Sequence, residues 1–259
     1  MLRVRIVFTH SVSMSVCDAA ATAISLARIL LRDRRRLLPG CGHRFQPIGA
    51  EDEKRAAGEA AAKLPEDGMT VGLGTGSTVA YLLPALAERK LSLRCVATSP
   101  RTEAAARELG LSVEPFERLE RLDIAIDGAD QVARDGWLVK GGGGAHTREK
   151  IVAAATERFV VIGDSSKPVD AIAAPVPLEL QPFGLRASLR ELGSVRLRDW
   201  RPSPDGGVIA DYEGEVGDPA VLAERFAAVP GVVEHGLFPP ALVADVLIAR
   251  GSEVEHRTL

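Results

Sequence analysis

Short apolar runs alternate with helix-patterned stretches from Glu51 onward, and the runs end in glycine or aspartate. That alternation constrains the fold more than any other feature of the chain. Runs at 69–73, 93–98, 122–126, 136–140 and 159–163 read as strands, and stretches at 51–63, 77–89, 101–109 and 147–158 read as helices. Strands joined through helices form a parallel sheet covered by helices, and such sheets bind ligands at the carboxyl ends of their strands. The predicted fold is α/β, with a parallel, Rossmann-like main domain over 51–177. Beyond it, prolines and a glycine pair shorten the runs, and a helix pattern returns at 219–228. That texture predicts a smaller α+β, ferredoxin-like domain over 178–236. The apolar run 241–249 lies in a segment, 237–259, expected to return to the main domain.

Residues 1–50 are different. They carry eight arginines, no lysine and only two acids, Asp18 and Asp33. An Arg-rich, acid-poor stretch with scattered serines reads as a transit peptide, as a start site assigned too far upstream, or as a structured extension. The net charge of −3 provides no global basic field for nucleic acid. No apolar run approaches the roughly 18 residues that a membrane span needs. Cys17, Cys41 and Cys95 form no CxxC pair, so neither a disulfide framework nor a cysteine zinc site is expected. The expected compartment is the reducing cytoplasm, with organelle import through residues 1–50 as the alternative.

Four polar motifs fall at predicted strand ends. Gly72-Leu73-Gly74-Thr75-Gly76-Ser77-Thr78 joins a strand to a helix. Small residues let backbone N–H groups at a helix start approach a phosphate, and Ser77 and Thr78 add hydroxyls. Ser77 stands where a dinucleotide fingerprint needs glycine, and the Gly-Lys-Ser/Thr of a P-loop is absent. A tight turn without a ligand is the plainer alternative. Asp127-Gly128-Ala129-Asp130 offers two acids for sugar hydroxyls or proton transfer, or only a capped turn. No further acid or histidine cluster follows it at metal-binding spacing.

Lys140-Gly141-Gly142-Gly143-Gly144-Ala145-His146-Thr147-Arg148-Glu149-Lys150 carries most weight. Four consecutive glycines are entropically costly, and close backbone approach to a ligand explains them better than a linker does. Lys140 places a cation at the pocket edge. Glu149 lies in the first helical turn, either aimed at the strand ends or serving only the helix dipole. His146 reads as a loop residue. Asp164-Ser165-Ser166-Lys167 puts another lysine at a strand end.

In order along one chain, GTGST, DGAD, KGGGG–TREK and DSSK resemble the type A ribose-5-phosphate isomerases, from about Asp52 to Val254. Lys54-Arg55-Ala56-Ala57-Gly58, Thr98-Ser99 with Thr102, Pro182-Phe183-Gly184 and Pro230-Gly231-Val232-Val233-Glu234 add to the resemblance. It implies interconversion of D-ribose 5-phosphate and D-ribulose 5-phosphate in the non-oxidative pentose phosphate pathway. It further implies no cofactor, no metal, no nucleic acid or membrane partner, and a homodimer. Glu149 falls on the catalytic base. Lys54, Thr75, Gly76, Ser77, Thr78, Asp127, Gly128, Ala129, Asp130, Lys140, Gly141, Gly142, Gly143 and Lys167 fall on substrate-binding positions. Gln131 stands where glutamate is usual, and His146 where leucine is common. The first is expected to alter charge beside Asp130, and the second to add a titratable group near Glu149.

The chemistry implied is proton transfer between C2 and C1 through an enediolate. It needs a base, Glu149, and positive charge or fixed donors at the developing oxyanion, here Lys140 with the N–H groups of 141–143. Asp127 is expected to assist ring opening and Asp130 to hold hydroxyls. The alternatives are a CoA transferase with Glu149 as nucleophile, a hexosamine-phosphate deaminase, or a non-catalytic sugar-phosphate sensor.

Overall fold

The computed structural model describes residues 49–199 and 201–259, and the readings of residues 1–48 lie outside these. The chain runs α1 (Ala50–Ala61), β1 (Thr70–Leu73), α2 (Val79–Glu88), β2 (Arg94–Ala97), α3 (Pro100–Glu108), β3 (Leu122–Gly128), β4 (Gln131–Ala133), β5 (Leu138–Val139), α4 (His146–Ala154), β6 (Thr156–Asp164), β7 (Pro168–Val169), β8 (Val176–Leu180), α5 (Leu185–Leu192), β9 (Val195–Leu197), β10 (Val208–Tyr212), α6 (Pro219–Ala227), β11 (Val232–His235), β12 (Leu237–Phe238), β13 (Asp245–Arg250) and β14 (Glu253–Thr258).

Six strands form the main sheet in the order β14-β13-β6-β3-β1-β2, all parallel except the edge strand β14. The chain leaves β1 outward to β2, then returns to the other side of β1 as β3. The order therefore reverses between β1 and β3, and ligands of doubly wound sheets bind at such a point. The core strands are buried on both faces: Val71, Leu73, Ile126, Val160 and Ile162 on one face and Val161 on the other have no exposed surface. Helices α1 and α2 cover one face and α4 the other. Gly58 lets α1 meet α2 backbone to backbone, since a Cβ there would lie 2.8 Å from the Leu82 nitrogen.

The second sheet has the order β11-β8-β10-β9, fully antiparallel, with connectivity β8-α5-β9-β10-α6-β11. This is the ferredoxin-like arrangement expected after residue 177. Its core holds Leu178, Leu180, Leu192 and Phe226. Strand β13 runs parallel beside β6, within the apolar run 241–249 and one residue past it.

One strand sits elsewhere than expected. The run 136–140 shortens to β5 and joins a third sheet, β12-β5-β4-β7, rather than the parallel one. Only the turn Arg134–Trp137 separates β5 from β4, and a parallel return needs a crossover of a dozen or more residues. The two strands therefore pair antiparallel. Helix α4 also ends at Ala154, four residues before the patterned stretch does, and Thr156 already pairs with Leu122. Beta-branched and aromatic residues from Thr156 onward favour the sheet.

Candidate active site

The ends of β1, β3, β5 and β6 and the starts of α2 and α4 converge at the reversal point. Gly74 follows β1 and has no room for a side chain: a Cβ would stand 2.0 Å from the Asp127 carboxyl carbon. Asp127 is fixed through one oxygen, Oδ1, which accepts from the backbone N–H of Thr75 at 2.9 Å and of Gly128 at 2.7 Å. The 75–78 loop is also held from outside. Thr75 and Thr98 hydroxyls meet at 2.8 Å, and the Thr102 hydroxyl donates to the Gly74 carbonyl at 2.8 Å. Thr98 and Thr102, read from sequence only as family matches, thus hold the loop, and Ser99 caps the helix that carries Thr102. Among the described residues, the N–H groups of Gly76, Ser77 and Thr78 meet no acceptor from the protein. They stand at the start of the ten-residue helix α2.

Lys140 lies at the end of β5 and is 2% exposed. Its ammonium lies 2.9 Å from Asp127 Oδ2 and 3.1 Å from Glu149 Oε2, and it donates to the Gly128 carbonyl. The Gly128 carbonyl is the hydrogen-bond acceptor, and the two carboxylates are held as ion pairs. Among the described residues, Asp127 Oδ2 and Glu149 Oε2 have no hydrogen-bond partner. Burial works against charge on Lys140, but Asp127 and Glu149 outweigh it and hold its pKa above the ordinary lysine value. Glu149 is pushed up to about 8, first by burial and further by the Asp127 charge, against the pull of Lys140. Burial raises Asp127 as well, again against Lys140. Two buried carboxylates around one ammonium leave a net negative charge when both are ionised, so the group favours holding one extra proton.

Glu149 owes its direction to its helix neighbours. On α4, the Thr147 hydroxyl donates to Glu179 at 2.6 Å, Arg148 pairs with Asp205 at 2.6 Å, and Lys150 pairs with Glu234 at 2.7 Å. All three partners belong to the ferredoxin-like part, so α4 is clamped on that side. Glu149 is left facing Lys140.

The cleft in front of this group measures about 450 Å³, open space at its mouth included. Thr75 to Thr78, Gly128 to Asp130, Lys140 to Gly143, Glu149 and Lys167 line it. Thirteen of the residues singled out in the sequence meet here. Two do not line it. Asp127 is 2% exposed and stands behind Lys140 and the 75–78 loop. Lys54 is drawn to Glu51, at 2.6 Å, one turn earlier on α1. Asp130 is exposed and accepts from the Gly142 N–H at 2.7 Å. A Cβ on Gly142 would stand 2.7 Å from Asp130 Oδ1, so a side chain there displaces the Asp130 carboxylate.

His146 is not a loop residue. It opens α4, has no exposed surface, and is driven by burial to a pKa of about 3. The expectation of a group titrating near neutrality beside Glu149 therefore fails, because the apolar surroundings keep the ring uncharged. Gln131 binds the Ala173 backbone through both ends of its amide, at 2.7 and 2.9 Å. Among the described residues, no group of three or more His, Cys, Asp or Glu side chains is arranged to hold a metal ion, and no helix is long and apolar enough to cross a membrane. Cys95 is buried, and burial raises its thiol to about 12.

Residues 94–253 match the family model described as ribose 5-phosphate isomerase A (phosphoriboisomerase A). A ribose-5-phosphate isomerase A of Caulobacter sp. (strain K31) is 43% identical over 206 residues, which covers 74% of this chain and 91% of that one. The ribose 5-phosphate isomerase A crystal structure from Neisseria gonorrhoeae superposes with a TM-score of 0.79 at 29% identity, covering 82% of this chain and 99% of that one. A D-ribose-5-phosphate isomerase solved in complex with phospho-erythronic acid superposes with a TM-score of 0.78 at 30% identity, covering 82% of this chain and all of that one. With these similarities joined to the geometry of its cleft, the chain belongs to the ribose 5-phosphate isomerase A family.

Proposed function

We propose that this protein is an aldose–ketose isomerase that interconverts D-ribose 5-phosphate and D-ribulose 5-phosphate, in the non-oxidative pentose phosphate pathway. The observation that supports this most is the buried Lys140 ammonium held between Asp127 and Glu149 at the reversal point of the sheet. Isomerisation removes a proton from a carbon beside a carbonyl, so a base and a stabilised oxyanion must act together. Glu149 is the base. Its raised pKa keeps it a strong enough base to take a carbon-bound proton and return it to the neighbouring carbon. Lys140 and the N–H groups of the 141–143 loop stabilise the enediolate oxygen.

The free N–H groups at 76–78, with the Ser77 and Thr78 hydroxyls and Lys167, bind the phosphate. Fixing that remote group positions the reacting carbons. Lys54 joins them only by leaving Glu51, a partly exposed pair that holds it weakly. Asp130, which lines the cleft, handles the sugar hydroxyls and also takes the ring-opening proton that the sequence assigns to Asp127, because Asp127 is buried and does not line the cleft. Asp127, buried behind the wall, holds Lys140 and the 75–78 loop in place. Gly128 and Ala129 let the backbone close on the sugar.

The ferredoxin-like sheet opens at Val176 and closes at His235, which supports domain divisions near residues 177 and 236. Family resemblance supports a cytoplasmic homodimer, with import through residues 1–50 as the alternative.

Conversion of D-ribose 5-phosphate by the purified chain with EDTA present tests the reading. Ketose formation that survives the chelator is the expected result. A folded protein that binds the sugar phosphate without converting it would replace the isomerase by a sensor. Acyl exchange from an acyl-CoA would replace it by a CoA transferase. Phospho-erythronic acid is a suitable probe of the site, because its phosphate and its carboxylate charge stand in for the phosphate and the enediolate charge of the reacting sugar.

A further inference from the structure

Arg198 follows β9 in the ferredoxin-like sheet and does not line the cleft. Its side chain is 13% exposed, and that of Asp211, on β10, is 5% exposed. The two form a forked pair: Nε donates to Oδ2 at 2.9 Å and Nη2 to Oδ1 at 2.7 Å. Such a pair fixes the plane of the guanidinium. The remaining nitrogen, Nη1, is then aimed at the glycine loop. It donates to the Gly141 carbonyl at 3.0 Å and to the Gly142 carbonyl at 3.1 Å.

A trans peptide points its N–H opposite to its C=O. Gripping the carbonyls of Gly141 and Gly142 therefore sets the N–H directions of Gly142 and Gly143. The Gly142 N–H reaches Asp130, and among the described residues the Gly143 N–H has no acceptor. Both residues line the cleft. A glycine run has no side chains to hold its peptides in one orientation, so the restraint must come from outside the loop. Arg198 supplies it from one side. The His146 ring supplies it from below, 2.6 Å from where a Gly141 Cβ would stand. A full positive charge at the carbonyl end also polarises these peptides and strengthens their N–H groups as donors.

We propose that Arg198, fixed by Asp211, is a positioning residue for the isomerisation: it holds the two peptides that join Gly141 to Gly143 so that the Gly143 N–H faces the developing enediolate while the Gly142 N–H stays on Asp130. The inference rests on the isomerase reading above. It ties the ferredoxin-like part to the chemistry through two hydrogen bonds.

The test compares wild type with Arg198→Met, Arg198→Lys and Asp211→Asn, measuring kcat, KM and the inhibition constants of phospho-erythronic acid and inorganic phosphate. Deleting one whole oxyanion donor costs about 10²–10³-fold in kcat, so misorienting donors that remain present is expected to cost about 10- to 100-fold. In Arg198→Met, KM stays within about threefold of wild type. Phospho-erythronic acid binds more weakly in proportion to the loss in kcat/KM, as an enediolate mimic must. Inorganic phosphate binds unchanged, because the 75–78 loop is untouched. Arg198→Lys keeps the charge and reaches one carbonyl, and it recovers part of the loss. Asp211→Asn gives a smaller loss of the same kind. A merely structural role would reduce the active fraction and leave the inhibition constant of phospho-erythronic acid unchanged. That unchanged constant in Arg198→Met, or in both other variants where Arg198→Met does not fold, overturns the inference. A wild type that does not turn over the sugar phosphate overturns the isomerase reading instead.

Discussion

Glu149 has to be ionised to act as a base, and its surroundings oppose ionisation. Burial lifts it to about 8, and Lys140 limits the rise. A carboxyl raised from its unfolded value favours folding most at low pH. That contribution is lost as pH climbs from about 4.5 towards 8. Activity and stability therefore move in opposite directions with pH around this residue. His146 behaves in the opposite sense. Its pKa is depressed by burial to about 3, so its contribution is present above the unfolded value of 6.5 and is lost as pH falls towards 3. Among the described residues its Nδ1 has no partner, and Nε2 reaches the Glu234 carbonyl only at 3.4 Å. A buried unsatisfied polar atom costs about 1–3 kcal/mol. His146→Leu is accordingly expected to raise stability by about 1 kcal/mol in urea unfolding at pH 7.5. The advantage should widen as pH drops below 6.5, and a variant less stable than wild type at every pH would contradict this.

The loops after β1 and β5 carry the site, and they tolerate change unequally. Gly74→Ala drives a methyl into the Asp127 carboxyl, with 2.0–2.5 Å to three of its atoms. A loss of about 1–3 kcal/mol, the usual range for overpacking, is expected together with most of the activity, because Asp127 also holds Lys140. Gly143→Ala meets only the Thr75 methyl, at 3.5 Å. Its stability should stay within about 0.5 kcal/mol of wild type while KM rises, because the methyl narrows the cleft. Thermal unfolding and steady-state kinetics on both variants check the contrast, and equal stabilities would contradict it. These loops were legible because their chemistry is local: GTGST, DGAD and KGGGG each join a strand end to polar, small residues. The run 136–140 was misplaced because its sheet depends on the length of the preceding turn, not on its own five residues. Lys54 was read as a site residue from family position alone, although its i,i+3 spacing from Glu51 on a helix already favours their pairing.

At the scale of the whole molecule, the parallel main sheet and the ferredoxin-like sheet serve one helix. Thr147, Arg148 and Lys150 of α4 bind the ferredoxin-like part, and Glu149 faces the lysine that ends β5. The division into a parallel and an antiparallel part showed in the sequence as a change of texture near residue 177. The links across it did not show. Arg198 lies 57 residues from Gly141 and Arg148 lies 57 from Asp205, and no local pattern marks either pairing. Asp127 and Asp130 are equally polar in sequence, and only packing decides that one is buried behind Lys140 and the other lines the cleft.

Isomerisation by this protein requires Glu149 to move the carbon-bound proton. Ribose 5-phosphate incubated in D₂O with wild type or Glu149→Gln, over pH 6 to 9, measures that transfer directly by deuterium appearing at C1 of the ketose and at C2 of recovered aldose. Wild type is expected to incorporate deuterium at a rate that climbs as pH approaches 8. Glu149→Gln is expected to bind the sugar phosphate and to incorporate at least about 10²–10⁴-fold more slowly, the share a positioned general base contributes. Exchange and conversion by Glu149→Gln at the wild-type rate would contradict Glu149 as the base.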